Sequence, residues 1–198
     1  ASLTIVGGGV IGMEFASFFC SLGVKVTVIE MMDEILGGVD KELSALLRAE
    51  YAKKGIKFLL STKVTGLSKG EIGTVVAYEN AEGAATIEAE KLLLSVGRRP
   101  VMKGFGLENL GLELNERKCS KVDEHLQSSV PGVYVCGDLN GVSLLAHTAV
   151  REAEVAVHHI IGKEDAMSYR AIPGVVYTNP EIACIGLTEK DLNEIKEG

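Results

Sequence analysis

The stretch LTIVGGGVIGMEFASFF, residues 3–19, indicates how this chain of 198 residues folds. Residues 3–6 are apolar or β-branched, which is typical of a short buried strand, and the glycines of GGGVIG, residues 7–12, follow directly. Apolar residues then recur at helical spacing, namely Ile11, Phe15, Phe18, Phe19 and Leu22. Gly23 stands where that helix would end, and residues 24–29 form a second apolar run that closes in Glu30. The stretch therefore predicts a strand, a glycine-rich turn, a helix and a second strand.

The glycines match the G-x-G-x-x-G pattern that holds a dinucleotide in parallel α/β folds. Gly7 allows the tight turn out of the strand, Gly9 leaves room for a pyrophosphate at the helix N-terminus, and Gly12 lets the helix pack closely on the sheet. Glu30 ends the second strand, where a carboxylate accepts hydrogen bonds from the adenosine ribose. A glycine-rich turn in another kind of α/β protein is the alternative, and the strand, helix and terminal acid in register favour the dinucleotide site.

The residues after the second strand distinguish between the two nicotinamide dinucleotides. An NADP site uses an arginine near the 2′-phosphate. Here Met31, Met32, Asp33 and Glu34 follow Glu30. Because a carboxylate at this position repels a phosphate, we expect NAD rather than NADP.

The following segments predict the rest of an α/β fold of the Rossmann type. Residues 40–54 carry Leu43, Leu46, Leu47 and Tyr51 at helical spacing, with Asp40 as the N-cap and Gly55 as the stop. Residues 56–60 supply a third parallel strand. Residues 74–78 and 85–88 alternate around a polar turn, as in an antiparallel β-meander, and residues 91–96 return as an apolar strand. We expect a parallel sheet plus an antiparallel β-meander.

The second half of the chain is less regular. Arg98 and Arg99 are either solvated loop charges or positioning residues at the end of a sheet strand. Residues 101–129 are polar and predict loops, whereas residues 132–138 predict a strand with Asp138 at its tip. A helix over 145–161 follows, with Ala149, Val150, Ala153, Val157 and Ile160 on one side. Residues 169–186 predict two short strands around a turn at 178–180, and Thr188 with Asp191 predicts a capping box.

Composition excludes several classes of function. The net charge of −7 argues against a nucleic-acid or anionic-membrane surface, since both need a basic patch. The opening apolar stretch has no basic residue before it and is interrupted by Glu14 and Lys25, so it predicts neither a signal peptide nor a membrane span. The four cysteines are far apart, without the spacing of a metal or redox motif, and we expect buried or incidental thiols in a reducing compartment and no metal site.

Five motifs together resemble one known family over essentially the whole chain. They are GGGVIGMEFA at 7–16, SVGRRP at 95–100, VYVCGD at 133–138, LLAH at 144–147 and YTNPEIACIGLTE at 177–189. Their order and spacing are similar to those of the flavoprotein disulfide reductases, the pyridine nucleotide-disulfide oxidoreductase family, and most of all to its dihydrolipoamide dehydrogenase branch.

The resemblance implies two cofactors, NAD and FAD, with residues for each. For NAD it implies a pyrophosphate turn at Gly7 to Gly9 with Ile11 and Gly12, and it implies Glu30 as the acid at the adenosine ribose. Val10 would cover the flavin face where nicotinamide docks, and Glu14 would lie near the nicotinamide amide. Val64 would contact the adenine, and Gly97 would make a backbone contact to NAD. For FAD it implies Asp138 at the ribityl chain and Leu144, Leu145, Ala146 and His147 along the flavin edge.

Simpler roles remain open for some of these residues. Glu14 stabilises a helix dipole if it lies in the first turn. His147 is alternatively an ordinary hydrogen-bonded residue near a helix start. Val10 is alternatively a packing residue.

Three elements of the family are absent from this sequence: a second glycine fingerprint for FAD, a closely spaced cysteine pair and the C-terminal histidine–glutamate pair. We therefore expect a fragment that is inactive alone and holds no catalytic residue. Its expected division is an NAD-binding domain at 1–97, the C-terminal part of an FAD-binding domain at 98–168 and the start of an interface domain at 169–198.

The resemblance also implies what the parent enzyme does. It would oxidise dihydrolipoamide through a disulfide and FAD, with hydride transfer to NAD. It would be a homodimer serving 2-oxoacid dehydrogenase or glycine cleavage complexes, in the cytoplasm or the mitochondrial matrix. A related NADH-dependent flavoprotein disulfide reductase or NADH oxidase is the second hypothesis, and a stand-alone NAD-binding module is the third.

Overall fold

A computed structural model of the protein describes residues 1–197, which divide into two compact units. The first unit contains Ala1–Gly97 and Val175–Cys184, and the second contains Arg98–Gly174 and the residues from Ile185 onward. The three-domain division at 97 and 168 remains a prediction, and residues 175–184, expected in the interface domain, belong here to the first unit. Across residues 1–197, none of the helices has the length and apolar character required to cross a bilayer.

The regular elements follow one another in an α/β order. The strands are β1 (Ser2–Val6), β2 (Lys25–Ile29), β3 (Lys57–Leu59), β4 (Lys63–Lys69), β5 (Thr74–Asn80), β6 (Gly83–Ala89), β7 (Lys91–Leu94), β8 (Gly174–Val176) and β9 (Ile182–Cys184). The helices are α1 (Val10–Ser21), α2 (Lys41–Lys53), α3 (Ala146–Ile160) and α4 (Glu189–Glu197).

A four-stranded parallel sheet in the order β3-β2-β1-β7 forms the centre of the first unit. Four of the five residues of β1 and of β2 are buried, which explains their continuous apolar sequence. Because parallel strands end at the same edge, the residues that follow Val6, Ile29 and Leu94 meet at the carboxyl edge of the sheet. The predicted parallel sheet is confirmed.

A separate antiparallel sheet, β4-β5-β6, confirms the predicted meander and adds one strand to it. The sequence did not indicate β4 as a strand, because Gly66 and Ser68 interrupt it and none of its residues is fully buried. Its pairing with β5 stabilises it, across an irregularity between Val64 and Gly66.

Two helices form as predicted but bury other faces. In α1 the buried residues are Gly12, Met13 and Ala16, whereas Phe15 and Phe18 are 43% and 56% exposed. In α3 the buried residues are Thr148, Glu152, Val155 and Ala156, whereas Val150, Val157 and Ile160 are exposed. Both helices are apolar on more than one side, so apolar spacing alone does not identify the face that packs.

Between residues 98 and 173 the structure contains isolated β-bridges and no strand, in agreement with the predicted loops at 101–129. The prediction of a strand over 132–138 is wrong. Tyr134 makes one isolated bridge with Gln127, and Gly137–Leu139 is a 3-10 turn. Its backbone pairs with the loop before it, where the Val135 N–H donates to the Leu126 carbonyl at 2.9 Å. A single neighbour of this kind does not extend into a ladder.

The capping box before α4 is confirmed by reciprocal hydrogen bonds. The Thr188 N–H donates to Asp191 Oδ2 at 2.8 Å, and the Asp191 N–H donates to Thr188 Oγ1 at 3.2 Å. The turn between β8 and β9 also lies where it was predicted, and its Asn179–Pro180 peptide bond is cis.

Candidate functional site

The three fingerprint glycines are required for two different reasons. Gly7 has a φ of +105°, and a Cβ on it would lie 2.4 Å from the Ser95 carbonyl oxygen. A Cβ on Gly12 would lie 2.0 Å from the Gly7 carbonyl oxygen, so neither position accepts a side chain. A Cβ on Gly9 would meet nothing within 4 Å. The fold therefore requires glycine at positions 7 and 12. At position 9 the fold would accept a side chain, and glycine there keeps the space beside the turn open.

The N-terminus of α1 faces this open space. Its N-cap residue is Gly9, which provides no side-chain cap, and no acidic residue lies in the first turn. The amide groups of that turn and the positive end of the helix dipole are therefore available to an anion. The side chains of Val10 and Ile11 are 40% and 41% exposed beside it.

Glu14 lies beyond the first turn of α1, which removes the helix-dipole explanation for it. One of its carboxylate oxygens, Oε1, accepts the Tyr177 N–H at 2.9 Å. Tyr177 belongs to the segment between β8 and β9. Glu14 thus connects the N-terminal half of α1 with that segment, a contact that the sequence did not indicate.

Glu30 is held in place at the carboxyl end of β2. Its Oε2 accepts the Gly8 N–H at 2.6 Å and its Oε1 accepts the Met32 N–H at 2.8 Å. Because an ionised carboxylate offers about four acceptor sites, two such bonds leave capacity for ribose hydroxyls. The glycine turn and the acid predicted to act together are therefore in direct contact.

The basic residues near the loop after Glu30 are engaged by its other carboxylates. Lys41 Nζ lies 2.8 Å from Asp33 Oδ2. Arg48 makes a forked pair with Glu34, with Nε 2.8 Å from Oε1 and Nη2 2.9 Å from Oε2. Partial burial opposes ionisation of Glu34, but the hydrogen bonds from Arg48 and from the Ile35 N–H outweigh it, so the pKa of Glu34 lies below its usual value.

The remaining predicted NAD residues line the same unit. Val64 is partly buried against the apolar cluster that Val6, Ile29 and Val76 form. Gly97 follows β7 with a φ of +113° and nothing near its Cβ position. Ser95, the first residue of the SVGRRP motif, donates from Oγ to the Gly7 carbonyl at 2.9 Å. This bond joins the end of β7 to the glycine turn.

The predicted flavin residues lie in the second unit, where Arg98 connects them. Asp138 is in the 3-10 turn with its side chain about half exposed, and its Oδ2 lies 3.4 Å from Arg98 Nη1. Arg98 Nη2 also donates to the Leu144 carbonyl at 2.7 Å. Of the two roles left open for Arg98, this geometry supports the positioning role. An exposed carboxylate beside a fixed arginine fits the polyhydroxyl chain of a flavin.

The residues from Leu144 to His147 lead into α3. Leu145 is the N-cap, and Ala146 is the first helical residue. His147 Nε2 lies 3.0 Å from the Pro173 carbonyl oxygen, so His147 does make the ordinary hydrogen bond considered for it. Its place along a flavin edge remains a prediction.

No disulfide bond joins any of the four cysteines. Cys20, Cys119, Cys136 and Cys184 are all free thiols. Among the side chains that the structure describes, no cluster of three or more histidine, cysteine or acidic residues is arranged to hold a metal ion.

Comparison with known proteins places these features in one family. The sequence pattern of the family described as "Pyridine nucleotide-disulphide oxidoreductase" matches residues 1–153. The dihydrolipoyl dehydrogenase of Thermus scotoductus is 41% identical over 191 residues, which cover 96% of this chain and 41% of that protein. The mitochondrial dihydrolipoyl dehydrogenase of Homo sapiens is 38% identical, over 97% of this chain and 38% of that protein.

Solved structures show the same fold. LpdA from Mycobacterium tuberculosis superimposes with a TM-score of 0.89 at 28% identity, covering 98% of this chain and 42% of that one. The HOCl-induced flavoprotein disulfide reductase RclA from Escherichia coli does so with a TM-score of 0.84 at 26% identity, covering 98% of this chain and 44% of that one. The chain spans about two fifths of the length of these relatives. It belongs to the pyridine nucleotide-disulphide oxidoreductase family.

Proposed function

We propose that this chain is the NAD-binding portion of a dihydrolipoyl dehydrogenase. The whole enzyme would convert dihydrolipoamide and NAD⁺ into lipoamide, NADH and a proton. The observation that supports this most directly is the contact between Glu30 and Gly8, which joins the ribose acid to the pyrophosphate turn. The relatives named dihydrolipoyl dehydrogenase match almost the full chain.

The residues of the first unit would bind and orient NAD. The free amides at the start of α1 and the space beside Gly9 would hold the pyrophosphate, and Glu30 would hold the adenosine ribose. Val64 would contact the adenine, and Gly97 would contact NAD through its own backbone. Val10 would cover the flavin face where nicotinamide docks, and Glu14 would accept a hydrogen bond from the carboxamide. Fixing the nicotinamide in this way provides the orientation that hydride transfer needs.

The second unit would contribute one side of an FAD site. Asp138 would bind the ribityl chain, with Leu144 to His147 along the flavin edge. FAD, when bound, supplies the two-electron relay between a dithiol and NAD. The redox cysteine pair and the histidine–glutamate base would come from parts of the whole protein outside these 198 residues. The 198-residue chain alone should therefore be colourless and unable to oxidise dihydrolipoamide.

The assembly and location follow from the same proposal. The whole enzyme would be a homodimer that serves a 2-oxoacid dehydrogenase or glycine cleavage complex. It would act in the cytoplasm, or in the mitochondrial matrix of a eukaryote. We propose neither a nucleic-acid partner nor a membrane partner.

The alternative enzyme is the less favoured one, because the relatives at 41% identity are named dihydrolipoyl dehydrogenase. The similarity to RclA, which is named a flavoprotein disulfide reductase, is compatible with a related NADH-dependent reductase or an NADH oxidase. These enzymes use NAD in the same fold and differ in what exchanges electrons with the flavin. A stand-alone NAD-binding module is disfavoured, because the VYVCGD and LLAH motifs would serve no purpose in it.

Calorimetric titration with NADH and NADPH tests the nucleotide assignment in the 198-residue chain. We expect NADH to bind more tightly, and Glu30→Gln to weaken NADH binding by ~1.5–3 kcal/mol, the value of charge-assisted hydrogen bonds. Glu50→Gln, an exposed change on α2, is the matched control and should leave the affinity unchanged. Equal or tighter binding of NADPH would contradict the assignment. In the whole protein, a preference for lipoamide over other disulfides and O₂ separates the first proposal from its alternative.

A further inference from the structure

The second unit buries a carboxylate that the proposed reaction does not use. Glu152 lies in the middle of α3 with 0% exposure. A buried carboxylate is unfavourable unless donors surround it. Among the side chains that the structure describes, no lysine or arginine forms an ion pair with Glu152, so the donors found around it are neutral.

Two donors satisfy Glu152, one on each oxygen. The Gly137 N–H donates to Oε2 at 2.5 Å. The Tyr169 O–H donates to Oε1 at 2.7 Å. The three groups are far apart in the sequence, so this arrangement joins the helix, the VYVCGD motif and the segment before β8.

The Gly137 bond fixes the turn that carries Asp138. Gly137 begins the 3-10 turn Gly137–Leu139 and has a φ of +71°, a conformation that glycine adopts readily. A Cβ on it would lie 3.3 Å from the Ala149 Cβ on α3, so the turn lies directly against the helix. The side chain of Asp138, the next residue, therefore takes its direction from a backbone that Glu152 holds.

The chemistry of the neighbouring groups is consistent with a static support. Burial, followed by the hydrogen bond to Glu152, raises the pKa of Tyr169 far above its usual value, so the phenol remains a donor. Burial and the charge of Glu152 also raise the pKa of Cys136, which keeps this cysteine a thiol. Glu152 thus has donors that do not titrate near neutral pH.

We propose that Glu152 and Tyr169 are positioning residues that orient Asp138 toward the ribityl chain of FAD. The inference rests on the proposed FAD site and adds to it two residues that do not touch the flavin. It makes FAD affinity depend on a buried helix residue and on a tyrosine 31 positions beyond Asp138.

The first test measures the support itself in the 198-residue chain, by amide hydrogen exchange of Gly137 to Leu139 under native conditions. We expect exchange to be about tenfold faster or more in Glu152→Ala, because the bond that protects the turn is gone. Glu152→Gln and Tyr169→Phe should lie between, since each keeps an acceptor for the Gly137 N–H. Glu154→Gln is the control on the exposed face of the same helix and should match the unsubstituted chain. Unchanged exchange in all three Glu152 and Tyr169 variants would overturn the proposal.

The second test measures the consequence in the whole protein with FAD. We expect Glu152→Ala to raise the FAD dissociation constant about tenfold, because the hydrogen bond that holds the turn of Asp138 is lost. The flavin circular dichroism band should change with it, and Glu152→Gln should restore most of the affinity and the spectrum. If Glu152→Ala does not fold, Glu152→Gln and Tyr169→Phe decide the question by their intermediate values.

The two failures are distinguishable. If the unsubstituted whole protein binds no FAD, the proposed function is wrong, whatever the exchange result. If it binds FAD and the variants with faster exchange keep its affinity and spectrum, the positioning inference is overturned and the FAD site stands.

Discussion

Gly9 and Gly12 stand three residues apart, and the structure assigns opposite consequences to their substitution. A valine at Gly9 would extend into space that no protein atom occupies, whereas an alanine at Gly12 would collide with the Gly7 carbonyl. We expect Gly9→Val to abolish NADH binding while it changes the free energy of unfolding by less than about 1 kcal/mol. Calorimetry and urea unfolding of the same preparation measure both quantities.

Gly12→Ala, unlike Gly9→Val, is expected to act mainly on the free energy of unfolding. The backbone oxygen of Gly7 cannot move away as a flexible side chain would, so the substitution should lower the free energy of unfolding by ~1–3 kcal/mol or more. Gly9→Ala serves as the control for adding a methyl group to the same turn. A Gly9→Val variant with normal affinity would show that the open space is not the pyrophosphate site.

Tyr51 of α2 connects three elements through one hydroxyl group. It is 1% exposed, donates to Ser17 Oγ at 2.6 Å and accepts the Asn179 N–H at 2.9 Å. Tyr51→Phe should reduce the free energy of unfolding by ~1–3 kcal/mol, because it leaves the Asn179 N–H and the Ser17 hydroxyl without this partner. Tyr78→Phe is the control, since the Tyr78 hydroxyl makes no hydrogen bond with any group that the structure describes. Equal stability of the two variants, measured by urea unfolding, would contradict this role.

The two sides of α1 should respond differently to truncation. Met13 is 0% exposed in the core of the first unit, and Phe18 is 56% exposed. Met13→Ala should therefore lower the free energy of unfolding by ~2–5 kcal/mol. Phe18→Ala should change it by less than about 1 kcal/mol, although it removes the larger side chain. A larger loss from Phe18→Ala in urea unfolding would mean that the face predicted from apolar spacing is the packed one.

In each of the two units, an ion pair makes the free energy of unfolding depend on pH in the acid range. Asp165 in the second unit contacts Arg151 at 2.6 Å and His158 at 2.6 Å, and these hydrogen bonds hold its pKa far below the ordinary 3.8. Glu34 in the first unit also has a lowered pKa. A carboxylate with a depressed folded pKa stabilises the fold above its unfolded pKa and loses that effect as pH falls. We expect stability to decline as pH falls below about 4, and the decline to be smaller in Asp165→Asn.

Urea unfolding between pH 6 and pH 3 checks this dependence. The Asp165→Asn variant should be less stable than the unsubstituted chain at pH 6 and approach it at the lowest pH. Parallel stability curves for the two proteins over this range would show that the Asp165 cluster does not contribute.

Local features were predictable where a few neighbouring residues decide the structure. The glycine turn, the parallel strands around it, the N-cap at Asp40 and the capping box at Thr188 and Asp191 all appear in the structure. The turn and the two caps depend on backbone conformation or on hydrogen bonds over at most four residues, and the parallel strands were indicated by their apolar and β-branched residues. The pairing of Glu30 with the glycine turn was also predictable, because parallel strands end at a common edge.

The sequence was insufficient where an element's partner lies far along the chain. The exposed sides of α1 and α3 are as apolar as the buried ones, and only close packing on the sheet selects the face with Gly12 and Ala16. Strand β4 forms because β5 pairs with it, and residues 132–138 lack such a ladder. The sequence alone indicates that Glu152 is an ordinary polar residue of an amphipathic helix. Its burial and its hydrogen bonds with Gly137 and Tyr169 appear only in the folded structure. Propensity and capping act over one or two turns of chain, whereas burial and long-range hydrogen bonds depend on how the completed elements assemble.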